Sequence, residues 1–180
     1  MEAWLSADLP TGYAVLRQAT ELDFAFVGAV EEAVGADAGH PWTVDQHRTV
    51  ADRDDGVHLI ATIGNEAIGF VLLTDKSGPS GDIELRRLLV EGRAQNVYQM
   101  AVLAVMDLCF SDWFANRLWV DCTNCDANLL PALHRAGFAR DGASDASGDA
   151  AGRVRLLSML ASVYVRRWDA YRPLRRIFEQ

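Results

Sequence analysis

With 180 residues, half of them hydrophobic and 23% charged, the chain has the size and apolar content of one globular domain with its own core. Its formal charge of -8 excludes extended binding along a phosphate backbone, which draws its affinity from clustered cations, and is compatible with a cationic amine ligand. The longest apolar runs, AIGFVLL at 67–73 and AVLAVM at 101–106, fall far short of the ~20 residues that span a membrane, and Met1-Glu2-Ala3 lacks the basic and then apolar pattern of an export signal; the expectation is a cytoplasmic protein with no membrane or nucleic-acid partner.

In chain order, YAVLRQ at 13–18 alternates like a strand, and Thr20 with Asp23 three residues on marks a helix start. Leu22, Phe26, Ala29, Val30 and Ala33 recur at helical spacing until Gly35. The stretch TVDQ at 43–46 is a second capping pattern, opening a helix that ends before Gly56. Two β-rich runs, 57–63 and 67–74, join around Gly64-Asn65 as a hairpin, and a third strand, IELRRLLV, covers 83–90. A long helix carries Val97, Ala101, Ala104, Val105 and Leu108 at 3.6-residue spacing and leads to a strand at 117–122. The segment 128–138 is a short helix capped by Asn128, with Pro131 in its first turn and Gly137 at its end. After the acidic small-residue loop 141–152, a last strand over 153–161 closes the domain. The order is β-α-α-β-β-β-α-β-α-β-β.

Cys109, Cys122 and Cys125 are too few for a disulfide framework, and the pair at 122 and 125 has no second pair with which to complete a zinc site, so no metal is expected. His58 and His134 stand alone, as satisfied or solvated histidines do, and Trp113, Phe114 and Trp119 are expected in the core. Arginines 166, 167, 172, 175 and 176 gather in a basic helix or tail from about 166, against the sign of the whole chain.

The element order, the strand IELRRLLV before a turn and long helix, the stretch RLWVDCTNCDANLLPALHRAGF at 117–138, and LLSMLASVYVRRW at 156–168 together resemble the GNAT N-acetyltransferase superfamily, in its branch that acetylates N-terminal amines of ribosomal proteins and related small amines. The resemblance covers about the last hundred residues. It implies an α/β (α+β) fold with a mixed, mostly antiparallel sheet splayed between strands 4 and 5 and flanked by about four helices, in a single domain over 1–180.

It also implies a function: transfer of an acyl group from acetyl-CoA, or from another acyl thioester such as carrier-protein phosphopantetheine, to a small amine or a protein N-terminal amine. Homodimers are the partners it suggests; a carrier-protein donor is suggested instead by the residues, since a phosphopantetheine thioester lacks the nucleotide end and would still enter a shut pyrophosphate cradle, with arginines 166, 167, 172, 175 and 176 as a docking patch for an acidic acyl carrier protein. By the same resemblance the thioester bonds to backbone near Leu88 and Val90, and the pyrophosphate sits on the N-terminus of the long helix at Asn96, Val97 and Tyr98, with Arg93 and Asn124 beside it.

Here the chain departs from the family's wording. Arg93 matches the pyrophosphate turn, but Asn96 and Tyr98 stand where glycine, or glycine or alanine, is expected, and both narrow the cradle. Asn96, with Gln99 three residues on, is also a favoured N-cap, so its oxygen is expected to take an N–H that would otherwise face phosphate. The places for the family's acid hold Leu133 and Leu129, neither a proton donor. Glu84 remains on the fourth strand, sharing a face with Arg86, Leu88 and Val90 by alternation; it reads equally as base or substrate anchor and as a partner of Arg86 or Arg87. The alternative to a transferase is a divergent protein of this fold that has lost acetyl-CoA and serves as a binding module or catalyses another reaction.

Overall fold

The computed structural model describes residues 14–91, 95–123, 125–140 and 156–167; Arg93, Asn124, the 141–152 loop and the arginines beyond 167 lie outside them. Seven strands form one sheet: β1 (Ala14–Gln18), β2 (Val57–Ile63), β3 (Glu66–Thr74), β4 (Asp82–Val90), β5 (Arg117–Asp121), β6 (Ala139–Arg140) and β7 (Leu156–Leu160), in the spatial order β1-β2-β3-β4-β5-β7-β6. The helices whose bounds lie within the described residues are α1 (Phe24–Val34), α2 (Val44–Ala51), α3 (Gln95–Asp107) and α4 (Leu129–Ala136). The element order is the expected one.

Local chemistry explains several boundaries. Ile63 pairs with Glu66 across Gly64-Asn65, a two-residue turn in which Gly64 takes φ +59° without steric cost. Thr43 and Gln46 exchange side chain for backbone in the expected box at the start of α2, with Thr43 N–H donating to Gln46 Oε1 at 2.8 Å. Gly137 ends α4 at φ +94°, in the left-handed region, with the Arg167 guanidinium packed where a Cβ would stand.

The helices cover the sheet's two faces. Phe24, Val27, Val30 and Val34 of α1 pack with Ile60, Phe70 and Leu89, while α3 and α4 pack on the other face against Val57, Leu59, Val71, Leu73, Leu85, Leu88 and Val90. Of the residues at helical spacing, Val30 is buried and Phe26 packs half-buried on the core as expected, whereas Leu22, Ala29 and Ala33 lie outside. Leu22 is 91% exposed and lies in a 3₁₀ turn (Glu21–Asp23), and the inward stripe is shifted so that Glu31, only 1% exposed, sits inside. A search for apolar periodicity places a glutamate outside by default; what moves it in is the set of partners described below.

Other expectations are also corrected. The last strand ends at Leu160, and residues 161–167 are helical rather than extended. Asn128 makes no side-chain cap, because Asp126 does that work: its Oδ1 accepts the Asn128 N–H at 2.7 Å and its main-chain oxygen the Leu129 N–H at 3.0 Å. Phe114 is 80% exposed at φ +55°, while Trp113 packs half-buried on the core beneath Lys76. Among the described residues no helix is long and apolar enough to cross a membrane.

Candidate functional site

The site arises from two features of β4. Its parallel pairing with β5 runs only from Asp82–Arg117 to Glu84–Trp119, although β4 continues to Val90, so the two strands part immediately after Glu84. The second feature is a bulge: opposite β3, Leu72 faces Arg87 and Leu73 faces Leu85, leaving Arg86 as an extra residue. The bulge resets the alternation. Ile83 and Leu85 point to the α3/α4 face, and beyond Arg86 it is Leu88 and Val90 that do so. Glu84 therefore shares its face with Arg87 and Leu89, toward α1 and α2, and not with Leu88 and Val90 as simple alternation predicts.

At the fork lies a cavity of about 210 Å³. Its floor is Glu84 to Leu88 of β4 with Val120; one wall is Ala38, His40 and Trp42 from the α1–α2 connection, and the other runs from Asp121 through Asp126 to Leu129 at the start of α4. Glu84 is 8% exposed and already partnered: Thr74 Oγ1 donates to its Oε2 at 2.8 Å and Arg86 Nη1 to its Oε1 at 3.1 Å. Both readings of Glu84 thus meet in one place, a carboxylate held by Arg86 and facing a cavity.

Behind the Trp42 wall runs a buried polar chain that the sequence reading did not find. Arg87 forks onto Glu31, Nε to Oε1 at 2.5 Å and Nη2 to Oε2 at 2.6 Å, and also donates to the carbonyls of Ala38 and His40 at 3.2 and 2.9 Å. Glu31 further accepts the Trp42 N–H at 3.1 Å and lies 2.9 Å from His47 Nε2, while His47 Nδ1 lies 3.1 Å from His58 Nε2. Burial by itself would push the Glu31 carboxyl up; the hydrogen bonds from His47, Arg87 and the Trp42 N–H outweigh it and hold the group below its ordinary value. The chain fixes the connection that forms one side of the cavity. His58 is therefore buried and bonded, not solvated.

His58 carries a measurable consequence. Burial, then the neighbouring His47, pushes its pKa down from 6.5 to about 4. A group depressed in the folded state binds fewer protons there than when unfolded, so its contribution to stability is present above pH 6.5 and lost as pH falls toward 4. The melting temperature is expected to decline across that window, and His58→Phe to flatten the decline; an unchanged slope in the variant would refute the assignment.

The residues expected to hold a donor are divided by the structure. Leu88 lines the cavity; Arg93 and Asn124 lie outside the described residues. Val90 is buried, and its N–H is taken by the hydroxyl of Tyr98 at 3.4 Å. Tyr98 itself is fully buried among α3, β4 and β5 side chains, so its ring belongs to the core face of α3 and not to an open turn. Asn96 is not the N-cap, because α3 already begins at Gln95; its Oδ1 nevertheless accepts an N–H, that of Val97 at 3.0 Å. Val97 is half-buried against the core. Leu133 is fully buried and Leu129 lines the cavity, so neither place offers a proton.

Asp126 is one of the cavity residues, with His40, Trp42, Asp121 and Thr123, that the sequence does not single out. Its one signal was an acidic residue just ahead of a helix start, a common capping position. The cysteines are reduced thiols, and the buried Cys109 is pushed up to about 12 by desolvation, which leaves it unreactive. Among the described residues no group of three or more His, Cys, Asp or Glu is placed to hold a metal.

A mixed sheet with one parallel pair that splays at β4 and β5, with two helices on each face, is the GNAT N-acetyltransferase fold. Solved structures with the same fold include the spermidine N-acetyltransferase from Vibrio cholerae in complex with CoA and spermine, which is 14% identical at a TM-score of 0.66 over 84% of this chain and 98% of that one. The aminoglycoside acetyltransferase AAC(6')-Ib in complex with coenzyme A is 19% identical at a TM-score of 0.68 over 85% of this chain and 98% of that one. No protein-family model and no curated protein sequence matches the chain.

Proposed function

We propose that the chain is an acyltransferase that moves an acyl group from a thioester to the primary amine of a small cationic acceptor. The observation that carries this reading is the parting of β4 and β5 at Glu84, with the cavity opening at that carboxylate. The fold is shared with enzymes whose structures hold CoA with spermine, and acetyl-CoA with paromomycin, which supports both an amine acceptor and a thioester donor. Glu84 accepts the proton of the incoming ammonium; the nitrogen lone pair then forms the C–N bond as the C–S bond breaks, and the proton given up by nitrogen balances the one the departing thiolate takes from solvent. A thioester supplies only the acyl group. The main-chain groups of Leu88 would hold it: the Val90 N–H is turned toward Tyr98, and by the two-residue repeat of a strand those of Leu88 are turned the same way, into the fork. Val90, Arg93, Asn96, Val97 and Asn124 complete the proposed donor site.

The test is a thermal melt with acyl-CoAs followed by an assay for CoA release with a panel of small amines. A bound donor raises the melting temperature once its concentration exceeds its Kd. No rise with acetyl-CoA or longer acyl-CoAs removes the CoA-dependent form of the proposal. A carrier-protein donor, docked on Arg166, Arg167 and the arginines after them, would then be assayed by pull-down.

One observation favours a second reading, a protein of this fold that no longer uses CoA and acts as a binding module. Tyr98 fills the region behind Val90 and takes its N–H, a group the donor would otherwise use. Calorimetric titration of CoA into the parent chain and Tyr98→Phe separates the two. The phenylalanine keeps the ring, whose loss would cost ~3–5 kcal/mol, and frees the N–H. Binding to the parent supports the transferase; binding to Tyr98→Phe alone supports the second reading.

A further inference from the structure

Two buried side-chain atoms among the described residues have no hydrogen-bond partner, Asp126 Oδ2 and His58 Nδ1. The second ends the polar chain beneath α1 and α2, and the order of donors and acceptors along that chain explains why it is bare. Glu31 Oε1 lies 2.9 Å from His47 Nε2, and a carboxylate only accepts, so Nε2 carries the hydrogen. With both rings neutral, His47 Nδ1 is then an acceptor, and His58 Nε2, 3.1 Å away, is its donor. His58 Nδ1 is left as a lone pair.

The chain has room for one more proton, which shows itself at one atom. Added to His58, it sits on Nδ1. Added to His47 Nδ1, it turns that atom into a donor, so that His58 must accept through Nε2 and carry its own hydrogen on Nδ1. Either way the end of the chain becomes a buried N–H with no acceptor, in a pair of rings that now bears a positive charge.

The groups that face His58 do not relieve this. From α1 comes the edge of Phe24 and from β3 the ring of Phe70, each with its centroid at 5.5 Å; from α2 comes His47 itself. The nearest carboxylates are Asp23, tied to Arg17, and Glu31, already shared by Arg87 of β4, His47 and the Trp42 N–H. Arg48 of α2 lies over the Phe24 ring and is directed to Glu21 and Asp45. Water can accept from Nδ1 once α1 and α2 lift. The opposite face of the sheet lacks such a group: the titratable side chains of its core are Tyr98, Cys109, Cys122 and Tyr164, types already protonated at neutral pH, and of the described buried carboxylates only Asp126 lies on the α4 side.

We propose that α1 and α2 form an acid-released flap: one proton taken up at the His58 end of the chain lifts this layer, and with it the cavity wall of Ala38, His40 and Trp42, from a sheet that α3 and α4 still hold together. The wall goes with the layer because the Trp42 N–H and the carbonyls of Ala38 and His40 are bonded to Glu31 and Arg87 of the same chain. The device does not depend on the reaction that the cavity serves. It leaves the cavity without one side in acid, before the molecule as a whole unfolds.

The test is hydrogen exchange read by mass spectrometry on the full chain at pH 7, 6 and 5, corrected for the pH dependence of free amides, in the wild type and in His58→Gln. Glutamine keeps an N–H for His47 Nδ1 and has no place for a proton. In the wild type, protection of α1, α2 and the connection between them is expected to fall about 20-fold from pH 7 to pH 5, the change that follows for a group at 6.5 when open and about 4 when closed. At pH 5 these segments are expected to be about tenfold or more less protected than α3, β5 and α4. Equal protection of the two faces at pH 5 means that acid acts only through unfolding of the whole molecule and overturns the proposal, and this comparison needs no variant. His58→Gln is expected to abolish most of the fall; a fall as large in the variant as in the wild type places the proton elsewhere and also overturns it.

Discussion

Glu31→Ala is expected to destabilise the fold by about 3–5 kcal/mol, which for a chain of this length lowers the melting temperature by about 6–20 °C. The cause is not the lost contact but what remains. Arg87 is 8% exposed, and without Glu31 its guanidinium is left in the interior with only main-chain carbonyls to face. His47 loses its Glu31 partner at the same time. Replacing both ends of the pair, as in Glu31→Leu with Arg87→Met, is expected to recover most of the stability, because a buried ion pair contributes little net over well-packed apolar groups. Urea unfolding of the single and double variants measures this; a single variant within about 1 kcal/mol of the parent would show the pair to be solvated in solution.

Acid should act on the same pair. The Glu31 carboxyl is depressed in the folded state, so its contribution is complete above its unfolded value of 4.5 and is lost as pH falls through the lower folded value.

If the proposed acyl transfer holds, Glu84→Gln is expected to lower its rate by about 10²- to 10⁴-fold, the usual contribution of a positioned proton acceptor. Glutamine has nearly the same shape and can still accept from Thr74 or Arg86, so the melting temperature is expected to move little. The pH profile distinguishes catalysis from packing: the variant should lose the limb of kcat/KM that reports the base, not merely show a raised KM. Full activity in Glu84→Gln would reduce Glu84 to the ion-pair partner of Arg86.

What the sequence made legible was local. The hairpin at Gly64-Asn65, the box at Thr43 and Gln46 and the stop at Gly137 each depend on residues within four positions of one another, and each was found. The fork between the fourth and fifth strands followed from the resemblance. What stayed hidden depends on distant partners. The bulge at Arg86 is a property of β4 against β3, and no alternation within IELRRLLV reveals it, so the face of Glu84 was misassigned. Glu31 finds its partner 56 residues away in Arg87, which is why a helical pattern read for apolar residues finds Val30 but leaves Glu31 outside. Tyr98 departs from the family's wording for the turn, yet its spacing with Ala101, Val102 and Val105 is that of a core stripe, and there it lies. Asp126 looked like routine punctuation before a helix, and only its unmatched second oxygen distinguishes it.

Arg87 stands in the central sheet yet grips the carbonyls of Ala38 and His40 on the segment bearing Trp42. That wall of the cavity is thereby braced in advance, and a ligand that entered would find little left to order. A pocket of that kind would discriminate by shape and charge rather than by adapting, so a broadened range of ligands should come first from changes at Thr123, which lines the cavity from the other wall.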